Sequence, residues 1–231
     1  MPIPEFPPVE YADEHGLLAV GGDLSVESLA LAYRSGVFPW PHEGYPLMWF
    51  APPERAILDF EDFKTPKRLR QYLKKTTFTF HVNRDFAAVI DGCATSPNRK
   101  GQKGTWITRE MKRAYLAFHR AGYAHCFEAR NEADELVGGL YGVLIGRAFA
   151  GESMFYRESN ASKFVIISLV EFLRARGVAW MDIQMLTPLM AMFGAKCISR
   201  EDYMERLSKA VAAETPYLPP FGRGRPPADG G

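Results

Sequence analysis

The sequence predicts an α+β fold: a small N-terminal α/β domain over residues 1–60, then a larger domain over 61–231 with a mixed sheet flanked by helices. Three observations carry this expectation. Val137–Val143 and Ala148–Phe155 alternate as strands around Ile145-Gly146-Arg147, where glycine supplies the positive φ of a tight turn. From Ser162 to Arg176 the rhythm becomes helical, and Phe164, Val165, Ile166, Ile167, Leu169, Val170, Phe172 and Leu173 leave almost no polar face, so that helix is buried. A short apolar strand, Val178–Gln184, follows.

Taken in order, residues 1–15 carry Pro2, Pro4, Pro7 and Pro8, which exclude a helix and predict an extended surface arm. Gly21-Gly22-Asp23-Leu24-Ser25 introduces a helix over Val26–Ser35, capped by Ser25 or Asp23 and stopped by Gly36. The diglycine lacks the lysine and spacing of a P-loop and reads as a turn. Phe38-Pro-Trp-Pro41 and Trp49-Phe-Ala-Pro-Pro53 flank a loop, and their prolines fix the aromatic planes. That suits a stacking platform for a base or, equally, a hydrophobic plug between domains.

Lys64, Lys67, Arg68, Arg70, Lys74 and Lys75 surround Leu69, Tyr72 and Leu73 at helical spacing, which predicts an amphipathic helix with a cationic face. Thr77–Val82 alternates as a strand, Asp85–Ala94 reads as a short helix, and Ser96–Gly104 is a Lys- and Gly-rich loop. Thr108 caps a helix over Arg109–Ala121, with Tyr115, Leu116 and Phe118 inward and Gly122 as its stop. His125–Ala129 is a strand leading to a turn at Asn131–Asp134. From here the elements run strand, strand, helix, strand, helix, with a splayed strand after the hairpin. This is the order of an N-acyltransferase, or GNAT-type, core. Beyond Pro216 proline and glycine accumulate without periodicity, and the tail is expected to be disordered from about residue 216.

Composition narrows the function less than the pattern does. A net charge of +1 and a pI near 7.7 give no whole-molecule field for nucleic acid, so any such site must be a local patch. Cys93, Cys126 and Cys197 are scattered and odd in number, without a C-x-x-C pair. That argues against a disulfide framework or zinc knuckle and for reduced thiols in the cytoplasm. The helix after Lys163 is too short to span a bilayer and is interrupted by Glu171, and no N-terminal basic-plus-apolar segment appears. A soluble cytoplasmic protein without membrane contact is expected.

Asp182 and Gln184 have period-2 spacing and so share one side of an otherwise apolar strand. Two such groups cost free energy unless paired or used, and Glu152 adds a third on the preceding strand. Pattern alone allows either a register-fixing buried network or a reactive site.

Gly151-Glu-Ser-Met-Phe155, Asn160-Ala-Ser-Lys163 and Asp182-Ile-Gln184 resemble the signature of bacterial leucyl/phenylalanyl-tRNA-protein transferases. The similarity continues in order through Gly16-Leu-Leu-Ala-Val-Gly-Gly-Asp-Leu-Ser25, Gly36-Val-Phe-Pro-Trp40, Trp49-Phe-Ala-Pro-Pro-Glu-Arg-Ala-Ile57 and Gly104-Thr-Trp-Ile-Thr-Arg109, and so spans nearly the whole chain. The resemblance implies an aminoacyltransferase of the leucyltransferase type. It would move leucine, phenylalanine or methionine from aminoacyl-tRNA to the N-terminal α-amine of proteins beginning with Lys or Arg. The product is an N-degron read by a downstream protease adaptor. The enzyme would work as a monomer, with no cofactor and no metal.

The same resemblance implies the site. Trp40 and Trp106 stack on the terminal adenosine, and Trp49 belongs to the core. Leu140, Met154, Ile166, Leu169, Leu173 and Met181 line the amino-acid pocket, where flexible chains suit Leu, Phe and Met, and Asn160 and Ser162 join them in binding substrate. Lys64, Lys67, Arg68, Arg70, Lys74 and Lys75 contact tRNA phosphates, and the long Ser96–Gly104 loop is a mobile, specialised tRNA contact. The catalytic set is Asp182, Gln184 and Glu152. Asp182 is favoured as the electrostatic and proton-accepting partner and Gln184 as the positioner, with Glu152 available for the acceptor's cationic first side chain.

Two departures stand out. Met185-Leu-Thr-Pro-Leu-Met-Ala-Met-Phe-Gly-Ala195 replaces a more polar, histidine-containing stretch, which bears on acceptor preference at the rim near Leu189, and Leu140 stands where methionine is familiar. Two other readings compete. An acetyl-CoA-dependent N-acetyltransferase would share the core, but Arg157–Ser162 lacks the glycines of a pyrophosphate loop. A non-catalytic tRNA-binding module would make Asp182 and Gln184 incidental.

Overall fold

A computed structural model describes residues 2–42, 44–96 and 105–219 and builds most of them around one mixed sheet. Its strands are β4 (Glu54–Asp59), β5 (Thr79–Val82), β6 (Ala124–Arg130), β7 (Leu136–Ile145), β8 (Ala148–Tyr156), β9 (Trp180–Gln184) and β10 (Lys196–Ser199), in the order β10-β4-β9-β8-β7-β6-β5. Every neighbouring pair is antiparallel except β8 and β9. That parallel pair touches at only two registers, Phe149 with Met181 and Ala150 with Asp182, and then separates. This is the splayed strand expected after the hairpin, and the α+β, N-acyltransferase-like class stands.

Both faces of the sheet are covered. One carries α5 (Ala161–Arg174), whose Val165, Ile166, Leu169, Val170 and Leu173 are buried with Phe127, Leu140, Leu144 and Phe149. The other carries α1 (Val26–Arg34), α3 (Phe86–Thr95) and α4 (Arg109–Arg120), packed on Cys126, Tyr141, Val143 and Phe155. Neighbours in β7 go to opposite clusters, as a pleated strand buried on both faces requires. The helix starts follow the sequence: Ser25, Asp85 and Thr108 each accept a backbone N–H three residues on. α5 differs, because Asn160 takes the left-handed conformation at its N-cap and caps no amide.

The N-terminal region forms a separate three-stranded sheet, β1-β3-β2, from β1 (Leu17–Val20), β2 (Phe38–Pro39) and β3 (Met48–Phe50). Gly21 and Gly22 take positive φ, 97° and 79°, in an irregular segment, and Trp49 is fully buried and donates its indole N–H to the Gly21 carbonyl at 2.9 Å. β4, which the sequence groups with this region, is paired inside the large sheet between β9 and β10.

Three further elements differ from expectation. Val9–Tyr11 is one 3-10 turn within the proline-rich arm; Pro8 stands just before it, where no amide is required. The basic segment is helical only over α2 (Lys67–Leu73), since Pro66 opens it and Lys74 closes it. Residues 216–219, read as tail, run irregularly against the body: Leu218 is buried and the Pro219 carbonyl accepts from Asn83 at 2.8 Å. The rest of the expected tail, from 220, and residues 97–104 of the expected tRNA-contacting loop lie outside the described residues.

Candidate active site

The gap left where β9 parts from β8 is a cavity of about 340 Å³. Phe38, Trp40 and Trp106 border it on the N-terminal side, Glu152 and Met154 come from β8, and Met181, Ile183 and Gln184 come from β9. Leu140, Met185, Thr187 and Met190 complete its apolar wall.

Two irregularities aim the polar groups. Across β7 and β8, Tyr141 pairs with Ser153 but Gly142 pairs with Gly151, so Glu152 is an extra, bulged residue. The bulge shifts the alternation: Ala150 and Phe155 pack in one cluster, although regular pleating over five residues would place them on opposite faces. Gly142 permits it, because a Cβ there would lie 2.4 Å from the Ala150 carbonyl oxygen. Across β4 and β9 the register also breaks, with Ile57 opposite Asp182 and Ala56 opposite Gln184, leaving Ile183 as the extra residue. Gln184 then has φ 56°, and the Met185 N–H donates to the Ile183 carbonyl at 2.6 Å. That is a γ-turn with positive central φ, the rarer and strained kind, at a residue that is not glycine.

Asp182 holds this turn. Its Oδ1 accepts from Gln184 N–H at 2.9 Å and Arg55 Nε at 2.9 Å, and its Oδ2 accepts from Arg55 Nη2 at 2.7 Å and the Tyr203 hydroxyl at 3.0 Å. Tyr203 belongs to α7 (Arg200–Val211). The Arg55 guanidinium lies 4.6 Å from the Phe38 ring and 4.6 Å from the Tyr203 ring, and its Nη1 donates to the Gly36 carbonyl at 3.2 Å. Burial opposes the Arg55 charge, but Asp182 beside it outweighs burial and holds the guanidinium pKa above its ordinary value. Asp182 and Arg55 are each 2% exposed, and Asp182 does not line the cavity.

Glu152 is held differently. Gln184 Nε2 donates to its Oε1 at 3.0 Å, and the Tyr115 hydroxyl lies 3.5 Å from its Oε2. The Tyr33 hydroxyl sits 2.5 Å from the Tyr115 hydroxyl and also acts on the Glu152 carboxylate. Burial raises both tyrosines well above the ordinary phenol range, and the charge of Glu152 adds to it, so they remain donors. Glu152 itself is pushed up to about 7, first by burial and then by the negative charge of Asp182; the tyrosine hydroxyls and Arg55 act the other way.

The structure thus brings together Glu152, Asp182 and Gln184, and around the cavity it gathers Trp40, Trp106, Leu140, Met154 and Met181. It does not bring in the remaining expected residues. Ile166, Leu169 and Leu173 are fully buried in the α5 cluster and do not line the cavity. Asn160 stands at the N-cap position of α5 and its side chain accepts from Lys163 Nζ at 3.0 Å, and Ser162 is buried in the first turn. Lys64, Lys67, Arg68, Arg70, Lys74 and Lys75 are all exposed on and around α2, which docks through the Tyr72 hydroxyl on the Ser159 carbonyl at 3.2 Å.

Arg55, Tyr203, Tyr33 and Tyr115 were not singled out by the sequence. Arg55 carried a signal, a cation beside the apolar run Ala56-Ile57-Leu58 that needed a buried anion. The tyrosines carried none, since each fits a helix core position. Among the described residues there is no group of three or more His, Cys, Asp or Glu that could hold a metal, and no helix long and apolar enough to cross a membrane.

Comparison with known proteins places the chain in a family. A family model described as leucyl/phenylalanyl-tRNA protein transferase matches residues 57–208, and one described as the N-terminal domain of that transferase matches residues 22–53. The leucyl/phenylalanyl-tRNA–protein transferase of Lawsonia intracellularis is 45% identical over 210 residues, covering 91% of this chain and 91% of its own. That of Syntrophus aciditrophicus is 46% identical over 210 residues, covering 91% and 87%. Among solved structures, FemX aligns with a TM-score of 0.50 at 12% identity, over 75% of this chain and 66% of its own, a likeness of fold alone.

Proposed function

Because the chain belongs to the leucyl/phenylalanyl-tRNA protein transferase family and is an aminoacyltransferase, we propose that it moves leucine, phenylalanine or methionine from aminoacyl-tRNA to the α-amine of proteins beginning with Lys or Arg. The reading extends to action as a monomer in the cytoplasm and to a product passed to a protease adaptor.

The observation that carries the mechanism is the contrast in Glu152 and Asp182 surroundings. Asp182 receives four donors and is closed off from the cavity, so it works as the anchor of Gln184. Glu152 lines the cavity, and an approaching amine meets its carboxylate. In the reaction the neutral α-amine attacks the ester carbonyl carbon, a C–N bond forms, and the C–O bond to the 3′-oxygen of the terminal adenosine breaks. Glu152 takes the amine proton and returns it to the leaving oxygen. A pKa of about 7 suits both steps, and the acceptor amine, itself near 7.7–8.0, needs only a mild base. Gln184 holds Glu152 in place through its amide. Once ionised, Glu152 also attracts the cationic first residue of the acceptor.

Trp40 and Trp106 suit stacking on the terminal adenosine, and Leu140, Met154 and Met181 suit an unbranched or aromatic amino-acid side chain. The exposed cations around α2 suit tRNA phosphates. The direct test is incubation with leucyl-tRNA and a peptide beginning with Arg, followed by mass measurement: addition of one leucyl residue is expected. Transfer from acetyl-CoA instead, or affinity for aminoacyl-tRNA that does not fall as salt rises, would replace this reading with the acetyltransferase or another donor.

A further inference from the structure

The γ-turn at Gln184 has a second effect: it swings the following residues out across the mouth of the cavity. Met185, Leu186 and Met192 are 52%, 44% and 40% exposed, a cluster of large apolar side chains within eight residues. They are carried by a firm shelf. Thr187 caps α6 (Pro188–Met192) by accepting from Met190 N–H at 3.3 Å, Pro188 presets its first turn, and Met190 is buried against the cavity. Phe193, fully buried, stacks on Phe63 at 5.4 Å. The exposed side chains are therefore held outward by a shelf that is itself packed. Clustered apolar side chains on a firm support beside a reactive cavity mark a contact surface more than scattered ones do.

We propose that this shelf binds the acceptor polypeptide just after its first residue, and that it selects acceptors with an apolar side chain at the second or third position. The proposal rests on the transfer reaction argued above and extends it to substrate choice. An amine held at Glu152 and Gln184 leaves its own chain to exit the cavity, and an extended chain advances about 3.3–3.6 Å per residue. Met185 and Leu186 directly follow Gln184, so the second and third side chains of the acceptor fall within their reach. The surface is continuous with the cavity, since the exposed Met185 and Thr187 also line it. It offers no charge from Met185 to Ala195, so an acidic or basic side chain there would lose water and gain no partner. Methionine adapts to ligands of different shape, which suits a surface that meets many sequences.

The test compares three acceptors with leucyl-tRNA as donor: argininamide, a peptide beginning Arg-Leu, and the same peptide beginning Arg-Asp. Wild-type protein is expected to favour Arg-Leu over Arg-Asp by about tenfold in kcat/KM, the worth of burying a modest apolar patch. In the double variant Leu186→Gln, Met192→Gln that ratio should fall to about threefold or less, while argininamide, which has no second residue, is used as before. Equal use of both peptides by wild-type protein overturns the proposal, as does a variant that slows argininamide equally. A concentration-dependent dimer in sedimentation that the double variant abolishes would assign the shelf to a second copy and overturn it as well. Failure of all three acceptors would instead sink the transfer reaction itself, and the proposal with it.

Discussion

Asp182 and Glu152 lie on neighbouring strands of one sheet, and the protein treats them in opposite ways. Asp182 faces a guanidinium clamped between two rings, a tyrosine hydroxyl and a backbone amide, so every favourable acceptor direction is used. Glu152 receives hydrogen bonds only from neutral donors, the Gln184 amide and the tyrosine hydroxyls, and burial pushes it up to about 7 although the Arg55 charge acts the other way. The difference teaches that a buried carboxylate is made structural or reactive by the charge of its donors more than by its depth. One acid fixes the geometry, and the other is free to change protonation state.

The sharpest way to break this contrast is Glu152→Gln, which keeps the shape and the Gln184 contact but removes the titration. Transfer at pH 8 is expected to fall about 10²–10⁴-fold, the usual worth of a positioned base, with binding of aminoacyl-tRNA little changed. Stability should move the other way. The folded-state pKa of Glu152 is raised from 4.5 to about 7, so its favourable contribution is full below about pH 4.5 and is lost as pH rises through 7. The variant escapes that loss and should be more stable than wild type at pH 8 by about 1–3 kcal/mol, with the gap closing below pH 4.5. Urea melts at pH 4.5 and pH 8 check it; a less stable variant at pH 8 would mean that Glu152 is well satisfied as an anion.

On the other side of the comparison, Arg55→Met leaves Asp182 buried without its cation. Loss of one partner from such a pair is expected to cost about 3–5 kcal/mol. Adding Asp182→Asn should recover part of it, because no charge is then left uncompensated. Equilibrium unfolding of the single and double variants gives the coupling directly. Additive losses would contradict the pairing seen between Arg55 and Asp182.

Much of this arrangement was legible in the sequence, and what was not has a definite cause. The hairpin, the buried helix and the caps at Ser25 and Thr108 rest on local rules, and the structure repeats them within a residue or two. Asp182, Gln184 and Glu152 could be singled out because polar groups on apolar strands are costly. Their roles could not be separated, since the decisive neighbour, Arg55, is 127 residues away from Asp182 and arrives only through sheet pairing. Period-2 reasoning likewise could not see the bulges at Glu152 and Ile183, which depend on the register of two strands at once. Ile166, Leu169 and Leu173 stay behind the cavity wall because α5 turns that face fully into the core.

The finest test concerns the two tyrosines, which carry no charge, do not line the cavity and act on it through Glu152. Their hydroxyls favour the ionised carboxylate, opposing burial, while Asp182 from β9 opposes ionisation and Arg55 from β4 supports it. Tyr115→Phe removes one neutral donor, worth about 0.5–1.5 kcal/mol, so the Glu152 pKa should rise by roughly 0.4–1 unit. The acid limb of kcat/KM then moves to higher pH by the same amount. At pH 7 the variant should be about two- to fivefold slower, and at pH 9 it should match wild type, where both carboxylates are ionised. With one acceptor peptide for both proteins, the titration of the amine cancels. Tyr33→Phe should shift the limb in the same direction and by at least as much, because the Tyr33 hydroxyl lowers the Glu152 pKa more than the Tyr115 hydroxyl does. A uniform loss of rate at every pH would mean that the tyrosines only pack, and an unmoved limb would mean that the proton accepted in transfer does not go to Glu152.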